Sequence, residues 1–178
     1  MENRTGNDYA DQGIPHEAGH IVVGWKTGFP IKEMAIEIVR DRGFTQLGNF
    51  ITRSVEPSDE QILETPPEIL ARYKLFLAGG LAGNKFSGVD ASNESLEDDR
   101  KKLARVGPES LEALAEQAIK IIGAHPEIFQ TLYAKIANRF LKIVNDPYGN
   151  SGRHTLLSEQ QLADVFARGE THGTNYAD

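Results

Sequence analysis

Glycines interrupt two stretches whose apolar spacing otherwise spells helix, and no other feature restricts the fold of this chain so strongly. From Pro66-Pro67 onward, Ile69, Leu70, Tyr73, Phe76, Leu77 and Leu81 recur with a helical period to about Gly88, yet Gly79, Gly80 and Gly83 fall inside the run. A glycine costs about 1 kcal/mol of helix propensity against alanine, a loss that is offset when the missing side chain lets another backbone approach closely. The expected partner lies earlier in the chain. Ile14 to Lys26 has the same period, through Ile14, Ala18, Ile21, Val22 and Trp25, and carries Gly19. These segments are expected to cross with their glycines facing one another.

The remaining sequence reads as one mostly helical domain with a small β-element. Lys32 to Arg40 and Phe44 to Thr52 are rich in Ile, Val, Phe and Thr and are separated by Asp41-Arg42-Gly43, which predicts a hairpin. Asn93 and Ser95 offer N-caps for a helix to Val106, and amphipathic helices are predicted over Pro108 to Ile122, His125 to Val144 and Ser158 to Arg168. Asn145 to Leu157 reads as loop. Residues 1–12 and 169–178, rich in Asn, Gly, Thr and Asp, read as disordered ends, leaving a single domain over 13–168 of the mostly α (α+β) class.

Charge and composition exclude several classes. With 26 acidic and 19 basic residues the chain carries a formal net charge of −7, which argues against a nucleic acid or an anionic membrane surface as partner. No apolar run reaches the length of a membrane span, and the polar start of the chain lacks the hydrophobic core of a secretion signal, so the expected location is the cytoplasm. The sequence contains no cysteine, so a metal in this protein would have to be held by His, Asp or Glu.

His16-Glu17-Ala18-Gly19-His20 supplies such a set. In a helix the H-E-x-x-H spacing stacks both histidines one turn apart on one face and places the glutamate beside them. Two imidazoles so placed can both reach a zinc at about 2.0–2.1 Å, and the glutamate can contact a water at the site without being a ligand. With Pro15 as a first-turn residue, His16 would sit near the positive end of the helix dipole, which disfavours the imidazolium. A third ligand must come from far along the chain, because Val23 and Lys26 occupy the glycine and histidine positions of the extended H-E-x-x-H-x-x-G-x-x-H form. Asp99 is the preferred candidate, since it lies one and two helical turns before Leu103 and Val106 on the apolar side of its helix; Asp98 and Glu94 are its rivals. His125, His154 and His172 stand at a helix start, in a loop and in the tail, and no ligand role falls to them.

The chain resembles the peptidase domain of the FtsH-type zinc metalloprotease family. His16 to His20 matches that family's H-E-A-G-H in full, and Leu77-Ala78-Gly79 with Ala82 and Gly88 is similar to its L-A-G-x-x-A-E-E-x-x-x-G helix. Ala91-Ser92-Asn93 resembles the A-S-N before the family's third ligand, an aspartate; Ala104-Arg105 resembles the A-R after it; Leu156 to Phe166 is similar to its closing L-T-x-E-E-L helix. Three departures stand out. Glu94 occupies the position of the aspartate that directly follows A-S-N, and two extra residues precede the A-R pair; Gly83-Asn84 replaces the acidic pair; and no G-x-x-x-x-G-K-[ST] phosphate loop occurs.

What the resemblance implies is a zinc peptidase acting without ATP on extended or unfolded polypeptide, with Zn²⁺ on His16, His20 and an acid near Asp99 and with Glu17 as general base. It also implies that an edge strand, from Lys32–Arg40 or Phe44–Thr52, pairs with the substrate. Besides the polypeptide, the partners compatible with this reading are further copies of the chain or a separate protein; neither nucleic acid nor a membrane span is expected. The alternative is a non-catalytic zinc-binding interaction module with the same fold, motivated by the changed acids and the missing phosphate loop.

Overall fold

A Cβ built on Gly19 would lie 2.0 Å from the carbonyl oxygen of Gly79, and one on Gly83 would lie 2.1 Å from that of Pro15, so the two glycine-bearing helices cross backbone against backbone as their sequences require. This computed structural model describes residues 6–41, 44–91 and 93–172, and within them the side chains of residues 10–41, 45–91 and 95–169. The crossing helices are α1 (Gly6–Thr27) and α3 (Pro67–Ser87). Between them come β1 (Ile31–Asp41), β2 (Phe44–Ser54) and the short α2 (Asp59–Ile62). After them follow α4 (Asn93–Val106), α5 (Leu111–Gly123), α6 (Pro126–Val144), β3 (Gly152–Ser158) and α7 (Glu159–His172). The fold is mostly α with a small antiparallel sheet, in agreement with the sequence reading. Among the described residues no helix is long and apolar enough to cross a membrane.

The sheet order is β2-β1-β3, so β1 is paired on both sides and β2 is an outer strand. Met34, Ile36 and Ile38 of β1 are buried in the core, where Phe50 of β2 approaches Phe140 of α6 with ring centroids 5.6 Å apart. The third strand corrects the reading of Asn145 to Leu157 as loop: Gly152 to Ser158 pairs antiparallel with β1, from Ile38↔Gly152 to Glu33↔Ser158. Its short sequence shows little strand character on its own. Leu156 and Leu157 are buried only because β1 offers an unpaired side, and Glu33 then collects Thr155 and Arg153 across the ladder.

Both ends of the domain are more ordered than their composition suggests. α1 begins at Gly6, so residues 6–12 are helical and Pro15 lies inside the helix rather than in its first turn. A proline there disturbs the preceding turn. In that turn the Gln12 carbonyl receives a hydrogen bond of 2.8 Å from Asn84 Nδ2 of α3, which helps to hold the continuation. At the other end α7 continues to His172, because Gly169 lets it close on α6: a Cβ there would lie 1.8 Å from Cδ1 of Ile128. The expected disorder of residues 1–5 and 173–178 lies outside the described residues.

Candidate metal centre

Three side chains from two helices converge on one buried point. His16 and His20, one turn apart on α1, are 4 % and 5 % exposed, and Asp99 of α4 is 4 % exposed. Their ligand-capable atoms form a triangle: His16 Nε2 to His20 Nε2 is 3.1 Å, His16 Nε2 to Asp99 Oδ2 is 3.3 Å, and His20 Nε2 to Asp99 Oδ2 is 3.5 Å. Among the described residues this is the one group of His, Asp and Glu side chains placed to hold a metal ion.

The tautomers follow from the partners of the outer nitrogens. His20 Nδ1 is 2.7 Å from the Phe76 carbonyl oxygen, which can only accept, so Nδ1 carries the proton. Asn84 faces the Gln12 carbonyl with Nδ2, which turns its Oδ1 toward His16 Nδ1 at 3.1 Å, so that nitrogen donates as well. In the neutral rings both Nε2 atoms therefore bear lone pairs directed at Asp99 Oδ2, itself buried without a hydrogen-bond partner. Three acceptors meeting at 3.1–3.5 Å repel one another unless a cation lies among them. Tetrahedral zinc, with bonds of about 2.0–2.1 Å, spaces its ligand atoms about 3.3–3.4 Å apart, so the residues fit such an ion.

The electrostatics express the same demand. Burial alone would push the His20 imidazolium down, but the Asp99 carboxylate, with help from Glu17 and the Phe76 carbonyl, reverses this and raises His20 to about 9. Burial would likewise raise Asp99, yet the His20 and His16 rings outweigh it and hold the carboxyl well below the usual range. A cation belongs in this triangle, either a proton on His20 or a metal ion. The placement of His16 near a helix N-terminus is corrected here: α1 starts ten residues earlier, so the dipole of its first turn does not act on the ring.

Of the candidates for the third ligand the structure brings in Asp99 and leaves Asp98 outside. Asp98 is exposed and paired with Lys102 at 3.1 Å, and Glu97 is paired with Lys101 at 2.8 Å, as helix phase requires. The side chain of Glu94 lies outside the described residues. α4 is set in place by buried Leu96 and Leu103 and by ion pairs to the segment after β2, Lys102 with Glu56 at 3.2 Å and Arg105 with Asp59.

Glu17 is buried beside the triangle, and its Oε2 accepts a hydrogen bond from Thr52 Oγ1 on β2. Together with His16, His20 and Asp99 it lines a cavity of about 600 Å³, whose other walls include Phe50, Ile51 and Thr52 of β2 and Phe76 of α3. Two contributors escaped the sequence reading, the Phe76 carbonyl and the Thr52 hydroxyl. The Asn84 amide stood in that reading as half of the Gly83-Asn84 pair that replaces the family's acidic pair, with no role assigned to it. The other histidines stay away: His125 packs edge-on against Trp25 with ring centroids 5.4 Å apart, and His154 reaches the Asn150 carbonyl at 2.9 Å. Comparison of the chain with protein-family models finds no match, and comparison with curated proteins finds none either.

Proposed function

We propose that this protein is a zinc-dependent, ATP-independent peptidase that cleaves extended or unfolded polypeptide in the cavity beneath β2. The observation that carries the reading is the convergence of three ligand-capable side chains, His16, His20 and Asp99, on one buried point, with a glutamate adjacent and the cavity walled by an outer strand. His16, His20 and Asp99 would hold the ion, which when bound supplies Lewis acidity toward a carbonyl and lowers the pKa of a water. Glu17 then accepts the proton of the attacking water on its carboxylate and returns it to the leaving amine. Thr52 holds Oε2, which leaves Oε1 of Glu17 for that exchange. β1 is consumed by neighbours on both sides, and of the two outer strands β2 lines the cavity while β3 does not, so β2 is the one that would run beside the substrate.

The test is hydrolysis of quenched-fluorescent casein and of unfolded peptides by the zinc-loaded protein without ATP, with Glu17→Gln as control. An amide of the same shape cannot accept the proton, so zinc content should stay unchanged while turnover falls about a hundred- to ten-thousand-fold. Stoichiometric zinc without any cleavage, and a Glu17→Gln variant indistinguishable from wild type, would replace the peptidase by a non-catalytic zinc-binding module.

A further inference from the structure

α3 presents three groups at successive turns toward the histidines: the Phe76 carbonyl, the bare Cα of Gly80, and the Asn84 side chain. Gly80 makes room for the ring of His16, since a Cβ there would lie 2.3 Å from its Cε1. Room alone does not fix the ring. A neutral imidazole can carry its proton on either nitrogen, and only the Nδ1–H form presents a lone pair at Nε2. We propose that Asn84 is a positioning residue that locks His16 in the Nδ1–H tautomer, its amide orientation being dictated by the Gln12 carbonyl. The inference rests on the metal reading above and concerns the residue behind the ligand.

Asn84 is 1 % exposed, and its amide has two unlike ends. Gln12 O at 2.8 Å can only accept, which assigns Nδ2 to that side and Oδ1 to His16 Nδ1 at 3.1 Å. The backbone beneath is also fixed, because the Asn84 carbonyl takes the N–H of Val89 at 3.0 Å at the end of α3. An amide is required here and a carboxylate is not its equal. An acid could accept from His16, but its second oxygen would meet the Gln12 oxygen, acceptor against acceptor, where Nδ2 now donates at 2.8 Å.

That asymmetry separates positioning from mere structure. Asn84→Ala removes both bonds; Asn84→Asp keeps the acceptor for His16 and loses the donor to Gln12. Zinc affinity, measured by chelator competition, should fall about ten- to a hundred-fold in Asn84→Ala and stay at or above wild type in Asn84→Asp, while thermal stability drops in both. In zinc-loaded wild type, imidazole ¹⁵N spectra should show His16 with a protonated, exchange-protected Nδ1, and Asn84→Ala should lose that protection. Loss of zinc affinity in Asn84→Asp as large as in Asn84→Ala, or an unchanged affinity in Asn84→Ala, would overturn the proposal. So would a His16 Nδ1 without its proton in wild type, a measurement that needs no variant to fold. Failure of wild type itself to bind zinc would instead refute the metal reading and take this inference with it.

Discussion

Zinc binding to this protein should tighten steeply as pH rises toward 9, which distinguishes its site from an ordinary pair of surface histidines. In the metal-free protein His20 holds its proton up to about 9, because Asp99 shares its buried pocket. A metal must displace that proton. Between the ordinary histidine value of about 6.5 and the raised value, each pH unit should therefore strengthen the apparent affinity about tenfold. From pH 7 to 9 the gain is about a hundredfold, or about 2.7 kcal/mol at about 1.36 kcal/mol per unit. Stability of the metal-free protein must run the opposite way. A group whose pKa is raised on folding stabilises fully below its unfolded value and loses that contribution as pH climbs through the folded one, so the melting temperature should fall between about pH 6.5 and 9. Asp99, held low, contributes above its unfolded value of about 3.9 and loses its contribution as pH falls through its lowered value. Chelator competition at half-unit steps, with melting curves of metal-free and zinc-loaded protein, measures both slopes. A zinc affinity already flat between pH 7 and 9 would refute the reasoning, since it would mean that Asp99 does not hold a proton on His20.

Alanine at His16, His20 or Asp99 should abolish stoichiometric zinc, because two protein ligands are too few for the usual site, whereas Asp98→Ala should leave zinc content unchanged; elemental analysis of the purified variants decides this. Wild-type zinc in Asp99→Ala together with loss in Glu94→Ala would move the third ligand to the residue after Asn93. Gly19→Ala should destabilise the fold in urea titration. Its new methyl would meet the Gly79 oxygen at 2.0 Å and the Gly83 Cα at 2.9 Å, and the resulting overpacking of about 1–3 kcal/mol or more exceeds the helix-propensity gain of about 1 kcal/mol.

The parts of this fold that could be read from sequence are those whose cause is local or strictly periodic. The crossing of α1 and α3 announced itself because a glycine inside a helix has a cost that only close approach explains, and Gly19, Gly79 and Gly83 do meet. Asp99 was separable from Asp98 by helix phase alone, about 100° of rotation deciding which carboxylate turns inward. β3 was not readable, because Gly152 to Ser158 becomes a strand through pairing with residues over a hundred positions earlier. The start of α1 was missed for a related reason: a proline signals a helix start locally, and the Asn84 contact that accompanies the longer helix comes from a distant helix. Thr52 and the Phe76 carbonyl were invisible because a hydroxyl on a strand and a backbone oxygen carry no sequence signature of their own.

Charge in the buried centre gives a last reason to prefer a divalent cation over the proton that could take its place. Two carboxylates, Asp99 and Glu17, are buried around the two histidines, and the neutral Asn84 stands behind His16 where an acid would have added a third negative charge. With one proton on His20 these groups retain a net negative charge inside the protein, a state that burial penalises. A divalent ion held by neutral rings brings the same set to neutrality. In the proposed metal site the amide at Asn84 would direct His16 inward without adding a third negative charge to the buried centre.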